Sequence, residues 1–233
     1  MITSLKEFLK LEAASGIILM MVAIVAMTAA NSVVAPHYAA LVKPLHHPIN
    51  DGLMAIFFLL IGLEIKREIV EGELSTVKKA ALPCIGALGG VVVPALIFSW
   101  INWDTQNMRG WAIPCATDIA FALGVVALFG DRLHASLKIF LMALAVIDDL
   151  VAVLIIAIFY TGGLSYPALG AALAVVLVLH TMGRAGIVSL LPYLLAGGVL
   201  WVMVLLSGVH ATIAGVLLGV LIPSAPGRHF IDR

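Results

Sequence analysis

An all-α, polytopic membrane protein is the fold class that this chain of 233 residues predicts. Composition is the first ground: 63% of residues are hydrophobic and 11% charged, with a mean hydropathy of +1.16, far from the range of soluble domains. The second is the recurrence of apolar runs of about 20 residues, the length at which a helix crosses the hydrocarbon core. The third is the placement of Lys and Arg, which favour cytoplasmic loops. A formal net charge of zero leaves no basic footprint for nucleic acid.

The spans follow in order. Charge-free or nearly charge-free runs cover Ala13–Ala30, Ala80–Ile101, Gly110–Gly130, Ile139–Tyr160 and Thr161–Gly183. From Ala185 to Gly227 no Lys, Arg, Asp or Glu occurs, which is too long for one span, and the Ser207-Gly208 pair is the natural division into two. The 12-residue run Gly52–Leu63 is short enough for a buried or interfacial segment. Counted as a span with its polar ends, it brings the total to eight. That count places Lys6, Lys10, Lys66, Arg67, Lys78, Lys79, Arg132, Lys138, Arg184, Arg228 and Arg233 on one side and only Lys43 and Arg109 on the other. Eleven against two argues for eight spans with both termini cytoplasmic. The first apolar run exceeds the h-region of a signal peptide and reads as a retained helix. Residues 1–223 form one membrane domain, followed by a short polar tail, 224–233.

Asp148 and Asp149 stand in the middle of the otherwise uncharged Ile139–Tyr160. A carboxylate at the centre of a bilayer costs roughly 2.5–3.5 kcal/mol on insertion scales, so a pair of them points to a cation or proton site. The alternative is a structural partner for a buried cation or backbone donor. Adjacent helical side chains diverge by about 100°, so both face one cavity only if it is wide.

The run before it contains Pro114, Thr117 and Asp118 within five residues. Proline lacks a backbone donor and clashes with the preceding turn, which predicts a broken fourth helix. Freed backbone at membrane depth lines a cavity or meets a partner, and Thr117 and Asp118 offer hard oxygens for a hard cation. The bland reading has Thr117 and Asp118 satisfying the exposed backbone themselves.

Glu64 and Glu68 lie one helical turn apart, with Lys66 and Arg67 between them. They read as a salt-bridged helix end at the cytoplasmic interface, or as a charged entrance that attracts cations and responds to pH. His210 is a candidate pH-responsive group or a hydrogen-bonded structural one. His46 and His47, beside Pro44 and Pro48, lack further ligands for a metal site. The spacings Gly86/Gly90 and Gly215/Gly219 suit close helix contacts, and Cys84 and Cys115, within apolar stretches, read as small packing residues. No Walker loop or dinucleotide fingerprint is present, which argues for an ion gradient rather than ATP or a redox cofactor.

Four segments, Asn50–Glu68, Gly110–Gly124, Leu137–Leu150 and Ser207–Gly215, closely resemble the bacterial NhaA sodium/proton antiporters, in the same order. The resemblance runs from about Leu11 to Pro223. It implies a secondary transporter rather than an enzyme, with an inverted-repeat fold in the bacterial inner membrane. The implied activity is export of Na⁺ or Li⁺ in exchange for H⁺, without a cofactor, serving sodium and pH homeostasis.

By position, Asp148 and Asp149 match the family's paired aspartates, with Asp149 the prime ligand of the transported cation. Asp118 with Thr117 matches the broken-helix residues, Asp118 compensating helix-end charge. Asp51 matches an accessory acidic residue, Glu64, Arg67 and Glu68 the cytoplasmic pH-responsive cluster, and His210 a histidine that tunes pH dependence.

Four departures accompany the likeness. The family has about twelve spans, so this chain reads as the first eight, without a membrane lysine that pairs with the residue matching Asp148. The stretch Asn31–Asn50 is too short for the extracellular β-hairpin through which some members form homodimers, and the tail beyond Pro223 is unlike the family's continuation. Val151 stands where many members have Gly, which crowds the site. An inactive or incomplete antiporter is therefore the first rival reading. An intramembrane aspartyl protease is a remote second, since its two carboxylates come from different helices.

Overall fold

The computed structural model describes residues 2–72, 74–128 and 134–223. The polar tail 224–233, Arg132 and the end of the Gly110–Gly130 run lie outside the described residues. Among the described residues every regular element is helical. They are α1 (Ile2–Ala30), α2 (Ala35–Val42), α3 (Met54–Val70), α4 (Val77–Ile101), α5 (Ile119–Leu128), α6 (Ala135–Phe159), α7 (Tyr166–Arg184), α8 (Leu190–Leu206) and α9 (Thr212–Leu221). By length and composition α4, the Ile139–Phe159 part of α6, and α7 are each able to cross a membrane. Shorter apolar helices cover Gly16–Ala30, α8 and α9.

The chain divides into two compact units, Met1–His46 with Glu73–Ala152, and His47–Gly72 with Val153–Arg233. In the first, α1 packs on α5 where two glycines meet; a Cβ on Gly124 would lie 3.1 Å from Gly16 Cα. Gly86 of α4 leaves room for Leu144 of α6, whose Cδ1 would be 2.8 Å from an added Cβ. Gly90, expected to share that contact, faces open space. Half of the Gly86/Gly90 spacing is thus a packing device and half is not.

The stretch Asn31–Asn50, too short for the hairpin, contains α2 and a 3₁₀ turn at Lys43–Leu45, and enters a π-helical turn at Pro48–Leu53. Pro36 in the first turn of α2 costs no hydrogen bond there, and alanines continue the helix.

In the second unit the core gathers Ala172 and Leu179 of α7, Tyr193, Leu200 and Val204 of α8, and Ala214 and Leu218 of α9. Tyr193, 1% exposed, donates its hydroxyl to Ile187 O at 3.1 Å, so its polar end is satisfied. Ser207 and Gly208 separate α8 from α9 as their position predicts. Gly208 has φ 83°, a left-handed conformation that suits glycine, and a Cβ there would collide with Gly163 O. This close approach lets Ser165 N donate to Ser207 O at 2.9 Å.

The tightest packing joins α3 to α9. A Cβ on Gly215 would strike Ala55 O, one on Gly219 would sit 2.6 Å from Leu59 O, and one on Gly62 would sit 2.6 Å from Val216 O. The two backbones are in contact, as the Gly215/Gly219 spacing anticipates. α3 also outlasts its 12-residue apolar run, because the charged stretch from Glu64 onward continues the helix to Val70.

Candidate functional site

The first unit holds the acidic pair. Asp148 sits on α6 among Ala145, Val146 and Ile147, all buried, and is itself only 2% exposed. A carboxylate that deep needs a compensating donor. The donor comes from the broken helix. Ile113–Cys115 forms a single 3₁₀ turn, Ala116 is extended with ψ 127°, and α5 begins only at Ile119. Thr117 N–H, between the two, has left the helical ladder and donates to Asp148 Oδ2 at 3.1 Å. The break that Pro114 predicts is therefore present, and its freed backbone meets a carboxylate. Cys115 helps to hold the break, its buried Sγ donating to Val91 O of α4 at 3.2 Å.

Asp149, next along α6, is half-buried, and its Oδ2 is sealed from solvent. Asp118 is exposed, and its Oδ1 accepts Phe121 N–H at 3.1 Å while its carbonyl accepts Ala122 N–H at 3.0 Å. That is an N-cap of α5, an anionic one that also suits the positive end of a helix. The Thr117 side chain is exposed, so what joins Thr117 to α6 is its backbone, and the aspartate it meets is Asp148.

The other candidates lie in the second unit. Asp51 stands in the π-helical turn, where its carbonyl accepts Trp201 Nε1–H at 2.7 Å and its Oδ2 lies 3.1 Å from His47 Nδ1. Glu64, Arg67 and Glu68 share the polar end of α3, Glu64 and Arg67 exposed and Glu68 half-buried. Glu64 lies beyond the apolar run that ends at Leu63. The protein around it raises its carboxyl above the ordinary glutamate range, Glu68 raises it further and Arg67 opposes both, although the side chain keeps an exposed surface. His210 is exposed just before α9, and its carbonyl accepts Ile213 N–H at 3.1 Å.

Two contacts escape a reading of the sequence. Lys66 Nζ donates to Ile222 O, 156 residues away, at 2.6 Å. Trp201, one more aromatic in an apolar run, anchors Asp51. An indole N–H within a packed bundle needs an acceptor, which is the signal that flags such a residue.

A long apolar helix that carries a buried carboxylate, met by a second helix broken at that depth, defines an all-helical protein of membrane-spanning apolarity with an acidic centre inside it. Residues 6–231 match the family described as Na⁺/H⁺ antiporter 1, and the chain belongs to that family. It is 56% identical over 238 residues to the Na⁺/H⁺ antiporter NhaA of Mesorhizobium japonicum, covering 98% of this chain and 60% of the relative. Identity is 53% over 231 residues to the antiporter of the same name from Paramagnetospirillum magneticum (96% and 60% covered). It is 51% over 236 residues to Na⁺/H⁺ antiporter NhaA 1 of Brucella anthropi (97% and 60% covered). The chain spans about 60% of the length of these curated relatives.

Proposed function

We propose that this chain acts as a secondary antiporter that exchanges Na⁺ or Li⁺ for H⁺ across the bacterial inner membrane, with eight spans and both termini cytoplasmic. The observation that carries the reading is the buried Asp148 carboxylate held at the helix break by Thr117 N–H. The names of the family and of the relatives support Na⁺ and H⁺ as the ions.

In the proposed cycle, cation and protons compete for the same carboxylates. With the centre open to a relatively alkaline cytoplasm, Asp149 and Asp148 release protons, and Asp149 with oxygens of the Thr117 region takes a dehydrated Na⁺. The centre then opens to the outside, where protonation expels the cation. One site therefore serves both ions, as alternating access requires. The bond from Thr117 keeps Asp148 in register with the break, so Asp149 carries the larger change of ligand. Glu64, Arg67 and Glu68 act as the cytoplasmic pH-responsive group, with His210 and Asp51 in accessory roles.

Proton movement by the purified full chain in proteoliposomes tests this, with a pH dye reporting pulses of Na⁺, Li⁺ and K⁺. Na⁺ and Li⁺ are expected to move protons and K⁺ is not. Asp149→Asn is expected to abolish the signal, and unchanged exchange in that variant would refute its assignment. Absence of exchange in the unmodified chain under every condition would place transport outside this stretch alone.

A further inference from the structure

Lys66 belongs to the charged end of α3, but its spacing separates it from the glutamates there. Residues two apart on a helix face away from each other, so Lys66 shares a face with neither Glu64 nor Glu68. It shares one with Gly62, four residues back. Ala55, Leu59, Gly62 and Lys66 form a single stripe at helical spacing, and the first three are the places where α3 meets the backbone of α9. On α9 the facing series is Gly215, Gly219 and Ile222. Ile222 is the C-cap, 9% exposed, and its N–H closes the last turn on Leu218 O. Its ψ of 123° turns its carbonyl out of the helical row, so that oxygen stands outside the intrahelical ladder. The Lys66 ammonium, 2.6 Å from Ile222 O, supplies a donor to it.

We propose that Lys66 is a positioning residue: its ammonium clamps the C-terminal end of α9 to α3, so that the two helices move as one body. The glycines alone bring the backbones together but supply no directional bond at the open end of α9. Lys66 supplies it, and α9 begins two residues after His210. A displacement of the charged end of α3 is therefore carried along α9 to the junction with α8. This coupling role rests on the antiport reading, whereas the clamp itself does not.

Hydrogen exchange of the purified full chain in nanodiscs tests the clamp, read on peptides covering residues 216–223. Lys66→Met is expected to speed exchange there about tenfold, and Lys66→Arg, which keeps a donor, is expected to restore most of the protection. Gly219→Ala, which pushes α9 from Leu59 O, is expected to speed exchange as well. If Gly219→Ala speeds exchange and Lys66→Met does not, packing alone holds the helix end and the proposal falls.

The coupling is read in proteoliposomes. Lys66→Met is expected to lower the maximal exchange rate several-fold at an unchanged half-saturating Na⁺ concentration, with rescue by Lys66→Arg. A change in Na⁺ affinity without a change in rate would overturn the coupling. If the unmodified chain moves no ions, the antiport reading fails, and the hydrogen-exchange result still decides the clamp.

Discussion

Asp148 in the first unit and Lys66 in the second solve the same problem with opposite signs. Each is a charged side chain on a largely apolar helix, and each is met by a backbone group released where another helix breaks or ends. Asp148 accepts a hydrogen bond from an N–H of the segment before α5, and Lys66 donates one to the C=O of Ile222 at the end of α9. The difference lies in depth and capacity. Asp148 is buried, and in the proposed cycle its carboxylate, beside the Thr117 donor, is where proton and cation compete. Lys66 is a donor at the polar end of α3, where its contact fixes one helix against another. In the roles proposed above, the acidic contact serves exchange and the basic one rigidity.

Removing the acid should break this comparison most severely. Asp148→Ala leaves Thr117 N–H in a part-buried position without its acceptor, at a cost of about 1–3 kcal/mol. Asp148→Asn keeps an oxygen for that N–H and is expected to lose less stability while still losing the charge. Denaturant unfolding in detergent compares the two. Equal stability of the Ala and Asn variants would mean that the Thr117 contact does not hold the break.

Asp118 sharpens the same comparison at a smaller scale, because it too is a carboxylate on freed N–H groups, but an exposed one. As the N-cap of α5 it is expected to contribute about 1 kcal/mol, lost in Asp118→Ala and largely kept in Asp118→Ser. Thermal unfolding separates the two. A Ser variant as unstable as the Ala variant would assign the effect to charge rather than to the cap.

The break, the capacity of Gly215 and Gly219 for a close helix contact and the division at Ser207-Gly208 are legible in the sequence because each depends on local chemistry. Proline removes a donor, glycine removes a Cβ, and neither needs knowledge of the rest of the fold. Lys66 illustrates what is not legible. In a run of mixed charge the neighbouring glutamates are the obvious partners, and only the position of α9 reveals a carbonyl 156 residues away. Gly90 fails in the other direction, since glycine spacing permits a close helix and does not supply one. The partner chosen by Thr117 is equally non-local. Asp148 and Asp149 are equivalent by composition, and the rotation of α6 decides which of them meets the break.

The smallest expected effect lies at Glu64, which tests whether the charged end of α3 is costly in its ionised form. Its carboxyl is raised above the ordinary value of 4.5, first by desolvation and then by Glu68, with Arg67 opposing. The folded chain therefore holds this proton more tightly than the unfolded chain does. Below pH 4.5 both states are protonated and the relative stabilisation is fully present. As pH rises through the raised value the unfolded chain has already ionised, so stability falls. Glu64→Gln removes the ionisation, and its melting temperature is expected to exceed that of the unmodified chain by about 1–2 °C at pH 8 and to match it at pH 4. The exposed surface of Glu64 and screening by salt keep the gain small. A variant less stable at pH 8 would show that Arg67 outweighs both burial and Glu68, and that the ionised form is the one the helix end favours.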